Sequence, residues 1–303
     1  MDIIIVCNKK DYFLATTCVA SIRYFYPSHR IFLVKDELNG KFATDDLEKY
    51  FNVEILDLGL KKYGWGAAKL KILSSNLRIG SGRYLVVDAD IIFVGDALAR
   101  LHQLKAQFVI SPEYSSENES SDWFKKTYYD INWVKQNIPD FVYPGYTFNT
   151  GQMIVTPGII AEAELRKYIL FDKYPYWTDF AKGHMPTADQ SLLNILLPRM
   201  HQKGQLTVDT LDFMIWPRSE RAKDITLHQV MDRKCPYVLH YAGLRRVPAL
   251  QYMSHSAILF FFKRAYFKKL PMGLLRFHFD NVYQTMTYNF VEFLKRVKRI
   301  LTL

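Results

Sequence analysis

Two carboxylates stand at the end of an apolar run in "RYLVVDADIIFVGD", residues 83–96. Asp88 and Asp90 follow a stretch of tyrosine, leucine and valine, and isoleucines resume at once after them. Ionised carboxylates in such company are costly unless something neutralises them. A divalent Mn2+ or Mg2+ is one solution, because such ions take one or two carboxylates and complete their shell with substrate phosphates. The ion would also screen a diphosphate leaving group. The other solution is structural: the aspartates cap the next helix or pair with lysines. The residues alone leave both open.

The elements that must position these groups alternate. "IIIVC", "YFLATTCVASIRYF", "RIFLVK", "VEILDL", "AAKLKILSSNL", "YLVVDAD" and "FVISP" read as strands and helices in turn over the first 110 residues. That order predicts an α/β fold, an open and mostly parallel sheet flanked by helices. Ligands in such sheets settle at the carboxyl ends of strands, and both "VCNKKDY" (6–12) and the Asp88–Asp90 pair are so placed. No G-x-G-x-x-G is present, and Gly64-Trp65-Gly66 is too weak a signal for a dinucleotide site. Further along, "FNTG" opens a strand, Thr187 of "TADQ" is in position to cap a helix, and "VLH" ends a strand before a glycine turn. Residues 112–147 interrupt the alternation with a polar start and many aromatics. This insertion is either a surface excursion or an acceptor-side wall.

At 303 residues, with 49% hydrophobic and 23% charged side chains, the composition is that of an ordinary folded chain. Cys7, Cys18 and Cys235 have no metal-ligand spacing and form no even set, which favours a reducing, cytoplasmic setting. The first ten residues read as a strand and not a leader. The apolar run 257–262 falls far short of the about 18 residues that a membrane span needs. The net charge of +10 is uneven: from residue 260 onward nine Lys and Arg face only Asp280 and Glu292. A near-neutral body with a basic tail argues against nucleic acid as the main partner. In "FVEFLKRVKRIL", Phe290, Phe293, Leu294, Val297, Ile300 and Leu301 share one helical stripe, with four cations elsewhere. That pattern suits an anionic membrane surface; its alternative is a helix folded back on the body.

"YLVVDADIIFVGDALARL", "FNTGQMIVTPG", "ADQSLLN" and "LHYAG", in that order, resemble glycosyltransferase family 8, which includes glycogenin and bacterial lipopolysaccharide galactosyl- and glucosyltransferases. The resemblance covers roughly residues 1–250. It implies a single Rossmann-like GT-A domain and a manganese-dependent, retaining transfer from a nucleotide diphosphate sugar. It implies that Asp88, Asp90 and His240 hold the metal, with Ala89 near the ribose. Gly243 and Arg246 fall where the family binds the donor diphosphate; the family usually has lysine at the latter, and Arg245 is the neighbouring alternative. Cys7, Asn8 and Tyr12 correspond to the base pocket, with one residue more between Asn8 and Tyr12 than in glycogenin-like chains. Tyr12 would stack on uracil; otherwise it is amphipathic core. Lys69 matches a basic residue that approaches the donor phosphates, while Lys71 is expected to face solvent. Asn149, Gly151, Asp189 and Gln190 match residues around the reacting sugar, although Asp189 could simply serve a helix N-terminus.

Together these features predict a hexosyltransferase using a UDP-sugar and a lipid-linked or envelope glycan acceptor such as lipopolysaccharide or capsule. Its basic tail, 251–303, would hold it on the inner face of the cell membrane. A sugar nucleotidyltransferase, or a catalytically silent glycan-binding protein on the same fold, is the alternative.

Overall fold

Successive isoleucines of the first strand, β1 (Asp2–Asn8), point to opposite faces, as a strand requires. Ile3 and Ile5 enter one core and Ile4 the other, so both faces of the sheet are covered. β1 is an interior strand of a seven-stranded sheet in a computed structural model that describes residues 1–64, 66–77, 79, 82–113, 122–138, 140–173, 177–243 and 249–301. The remaining strands of this sheet are β2 (Ile31–Asp36), β3 (Val53–Ile55), β4 (Tyr84–Asp88), β6 (Phe108–Glu113), β7 (Thr147–Val155) and β8 (Val208–Thr210). A smaller sheet joins β5 (Ile91–Gly95), β9 (Met214–Ile215) and β10 (Lys234–His240).

The order β3-β2-β1-β4-β7-β6-β8 brings the polar residues together. β1 is parallel to both β2 and β4, with Asn8 opposite Asp36 and Val6 opposite Asp88. Three strand ends therefore deliver Asn8, Asp36 and Asp88 to one edge. β7 runs antiparallel beside β4, which brings its first half, containing Asn149 and Gly151, to that same edge. In the small sheet β10 is antiparallel to β5, so His240 faces Ile91, and the Tyr241 N–H donates to the Asp90 carbonyl at 3.0 Å.

On one side of the large sheet pack α1 (Tyr12–Phe25), α4 (Ala97–Leu101) and α10 (Ser256–Lys268) together with the small sheet. On the other lie α3 (Ala67–Ser74), α5 (Asp122–Thr127), α6 (Ile131–Asn137), α7 (Glu162–Leu165) and α8 (Ala188–Gln202). α2 (Asp45–Phe51) and α9 (Leu227–Met231) add Leu47, Phe51 and Val230 to the first of these cores, and α11 (Gly273–Leu301) follows α10. In the 112–147 segment, Phe124, Tyr128, Tyr129 and Val134 are buried in the second core.

The 251–303 segment has two parts. α10 buries Ile258, Leu259 and Phe262 against the body, so this part is core. α11 is tied down near its start by Lys263–Asp280 at 2.5 Å and Arg276–Asp46 at 2.5 Å. Phe290, Phe293, Leu294 and Ile300 on its far half are exposed. Among the described residues no helix is long and apolar enough to cross a membrane.

Candidate active site

The strand ends and the starts of α3 and α8 enclose a pocket of about 430 Å3. Asn8, Lys69, Asp88, Ala89, Asp90, Asn149, Gly151, Asp189, Gln190, His240 and Gly243, all singled out by sequence, line it. Residues up to 235 positions apart in the chain thus converge on one cavity.

Lysine is what stands opposite Asp88. The Lys69 ammonium, from the first turn of α3, lies 2.7 Å from Asp88 and 2.8 Å from Asp189, and donates to the Thr150 carbonyl at 3.0 Å. Its side chain is 4% exposed. An ammonium has three N–H donors, and these three acceptors use them. Lys69 is therefore committed to joining two carboxylates, which differs from its expected approach to donor phosphates. Burial alone would lower its pKa, but Asp189 and Asp88 outweigh that and raise it. The converse holds for Asp189: burial opposes its charge, yet Lys69 and the Thr150 hydroxyl, which donates at 2.8 Å, bring its carboxyl below the usual range. For Asp88 burial prevails over Lys69, and Asp90 adds to it, so its carboxyl is raised. Lys71, expected to face solvent, is half-buried and pairs with the partly exposed Glu162 at 2.5 Å.

On the other side of Asp88 stands His240, its side chain 1% exposed. Its Nε2 is 3.3 Å from Asp90 Oδ1 and 4.0 Å from Asp88 Oδ2, and its ring stacks on Trp216 with centroids 5.2 Å apart. Among the described residues neither ring nitrogen has a hydrogen-bond partner. Buried polar groups normally find one, so an imidazole aimed at two carboxylates has the character of a ligand. One ligand atom from each of Asp88, Asp90 and His240 fits within 4.8 Å of the others. Two carboxylate oxygens and an imidazole nitrogen fit a divalent cation.

Two glycines make this packing possible. A Cβ at Gly151 would lie 2.2 Å from His240 Cε1, and one at Gly66 only 2.0 Å from Asp189 Oδ1. Gly66 also has φ +85°, the left-handed region that favours glycine. The amides are fixed as well. Asn149 Nδ2 donates to Gln190 Oε1 at 2.9 Å, and Gln190 Nε2 donates to the Thr127 carbonyl at 3.1 Å. Thr187 occupies the N-cap position of α8, yet its side chain accepts no capping bond; its own N–H donates to the Ser191 hydroxyl at 3.2 Å.

Two expected residues are not brought into the pocket. The Cys7 thiol is buried in the core, where burial pushes it well above its ordinary range. Tyr12 turns towards a different cavity: its ring packs on Phe42 at 5.4 Å and its hydroxyl is hydrogen-bonded to that of Tyr266. It is held as amphipathic packing of α1, not as a platform at the pocket. Arg246 and Arg245 lie outside the described residues. Conversely, Asp11, Asp36, Gly66, Thr150 and Trp216 line or build the pocket without having been singled out. Asp36 carried a readable signal, since it ends an apolar strand as Asp88 does. It accepts N–H bonds from Leu38, Tyr63 and Gly64 and so fixes the approach to Gly66. Nothing adjacent in sequence marked Trp216.

No protein-family model and no curated protein matches this sequence. By structure the chain is similar to WbbM, a bifunctional glycosyltransferase, with a TM-score of 0.55 and 11% identity over 86% of this chain and 49% of that one. It thus spans about half the length of WbbM. It is also similar to the galactosyltransferase LgtC, solved with donor and acceptor sugar analogs (TM-score 0.49, 18% identity, 88% of this chain and 95% of that one). A third similar structure is the glycosyltransferase GlyE of Streptococcus pneumoniae TIGR4 (TM-score 0.48, 14% identity, 91% and 62%). The likeness to WbbM, together with the strand order and the placement of Asp88 at a strand end, shows that this chain has the GT-A fold.

Proposed function

We infer that the protein is a divalent-metal-dependent, retaining glycosyltransferase. It moves a hexosyl unit from a nucleotide diphosphate sugar, UDP-linked, to a hydroxyl of a lipid-linked or envelope glycan such as lipopolysaccharide or capsule. The observation that carries this reading is the convergence of Asp88, Asp90 and an otherwise unbonded, buried His240 beside the Lys69–Asp189 pair. Asp88, Asp90 and His240 would hold Mn2+ or Mg2+, which when bound neutralises the donor diphosphate and the charge that grows on it.

The chain's own residues supply the rest. Asn8, Ala89 and Gly243 line the pocket; in this reading Asn8 would meet the base, Ala89 the ribose and Gly243 the diphosphate of the donor. Asp189, kept ionised by Lys69, is a fixed negative charge beside the sugar, where it stabilises positive charge developing at the anomeric carbon. Asn149 and Gln190 hold each other's amides, so their remaining donors and acceptors meet the sugar hydroxyls in one orientation. In front-face transfer the bond from the anomeric carbon to the phosphate oxygen breaks. The acceptor oxygen bonds to the same face, and its proton passes to the departing phosphate. Configuration is thereby retained.

A panel of UDP-sugars assayed for Mn2+-dependent hydrolysis tests the reading. One donor should be cleaved by the wild type and not by Asp90→Asn; metal-independent turnover of every active donor would sink it. Membrane docking through α11 is a separate part of the proposal. Because α10 belongs to the core, truncation after Leu270 is the right test. It should abolish sedimentation with anionic vesicles and spare donor hydrolysis.

A further inference from the structure

A cavity of about 940 Å3, larger than the polar pocket, opens between α1, α10 and α11. Its volume falls among those of small-ligand sites, roughly 300–1,000 Å3. Its apolar wall is built from Tyr12 and Phe13 of α1, Phe267 of α10, and Leu275, Phe279 and Tyr283 of α11, while the ion pairs Lys263–Asp280 and Arg276–Asp46 are set in the rest of the lining. Leu275, Phe279 and Tyr283 are spaced four residues apart and share one helix face. The body does not complete that face, for Phe279 is 67% and Tyr283 70% exposed. The same stripe runs on through Met286, Phe290 and Phe293, all exposed. An apolar recess thus opens onto an apolar ridge, a combination that water-facing surfaces rarely carry.

The surrounding charge selects what enters. On the α11 side each acid is consumed by a cation: Asp280 by Lys263 at 2.5 Å, and farther along Glu292 by Lys295 at 2.8 Å. Asp46 is taken by Arg276. The rim then carries exposed Lys9 and Lys10 against exposed Asp45, none of them ion-paired among the described residues. The far end of α11 carries Lys295, Arg296, Lys298 and Arg299 against the single acid Glu292. Apolar walls with a cationic mouth complement a hydrocarbon chain with an anionic head.

We propose that this cavity takes one acyl chain of an anionic membrane phospholipid, its phosphate held at Lys9 and Lys10. α11 would then be seated on the leaflet by an inserted lipid as well as by surface contact. This rests on the reading of α11 as a membrane-docking face. The site is separate from the donor pocket: Asn8 and Asp11 line that pocket, whereas Lys9, Lys10 and Tyr12 line this cavity, so one turn divides the two.

The test uses the full chain and phosphatidylglycerol carrying a diazirine at the end of one acyl chain. Presented in phosphatidylcholine–phosphatidylglycerol vesicles and irradiated, it should label residues 12–16, Phe267 and Phe279. Label confined to the stripe beyond Met286 would overturn the cavity while leaving α11 docking intact. A second arm presents a short-chain phosphatidylglycerol with the same label below its micellar concentration, so that no bilayer is needed. Cavity labelling there, without vesicle sedimentation, supports the cavity and overturns the docking reading; absence of cavity labelling in both arms overturns the cavity. Phe279→Glu, at an exposed position, should cut cavity labelling at least roughly tenfold, since a carboxylate against an acyl chain is strongly disfavoured. Undiminished labelling in that variant would also overturn the proposal. Phe290→Glu with Phe293→Glu should weaken vesicle sedimentation and leave labelling by the monomeric lipid unchanged.

Discussion

Gly151 and His240 are in van der Waals contact so close that a methyl group on the glycine would stand 2.2 Å from the imidazole Cε1. The absence of a side chain on β7 therefore sets the position of a ring on β10. Gly151→Ala should push the ring away from Asp90 and weaken Mn2+ binding by at least about tenfold, the effect expected of disturbing a ligand's support. Titration calorimetry with Mn2+ measures this directly; unchanged affinity would show that the ring position does not matter to the metal.

Bound metal should also stabilise the fold. A ligand at a hundredfold excess over its Kd adds about 2.7 kcal/mol, enough to raise the Tm by several degrees in a chain of this size. Addition of Mn2+ to the wild type should give that rise, and EDTA should reverse it. Asp90→Asn and His240→Ala should each remove the response. A full Tm shift in His240→Ala would take the imidazole out of the ligand set.

Lys69→Met leaves Asp88 and Asp189 without their shared cation in a buried site. Breaking a buried ion pair from one side costs about 3–5 kcal/mol. Denaturant unfolding should show a loss of that order, and donor hydrolysis should be abolished. A loss below about 1 kcal/mol would mean that water or a neighbouring group replaces the ammonium.

Acid stability should depend on Asp189. Its folded-state pKa lies below the unfolded value, so its contribution is present above the unfolded value of about 3.9 and is lost as pH falls through the folded one. Lys69 acts oppositely. Its folded pKa is raised, so its contribution is present below the unfolded value of about 10.4 and fades only as pH rises through the higher folded value. Asp189→Asn should flatten the acid limb of the stability–pH curve, measured by urea unfolding between pH 2 and 6 (about the range this shift governs). An unchanged acid limb would place the titration elsewhere.

Much of this was legible in the chain. α1 runs from Tyr12 to Phe25, the span of its helical pattern, and the Asp88 strand ends where the apolar run stops. Both depend on local periodicity, which neighbouring residues encode. Membership of the pocket was readable for Asn149, Asp189 and His240 because each stands at an element boundary. Trp216 has no such mark; it enters the site only because β9 pairs with β10.

The sequence by itself determined the alternation of strands and helices, the polar residues at their ends and the segregation of charge into the last forty-odd residues. These follow from patterning over a few turns of chain. Tertiary structure alone decided the partners. Lys69 meets Asp189 across 120 positions of sequence because α3 and α8 begin side by side, and this commits its ammonium to carboxylates instead of leaving it for a phosphate. Tyr12 is drawn to Phe42 and Tyr266 because α10 and the segment that precedes α2 close over its side of α1. A residue's type fixes which bonds it can make; the crossing of distant elements fixes which of those bonds are still open to a ligand.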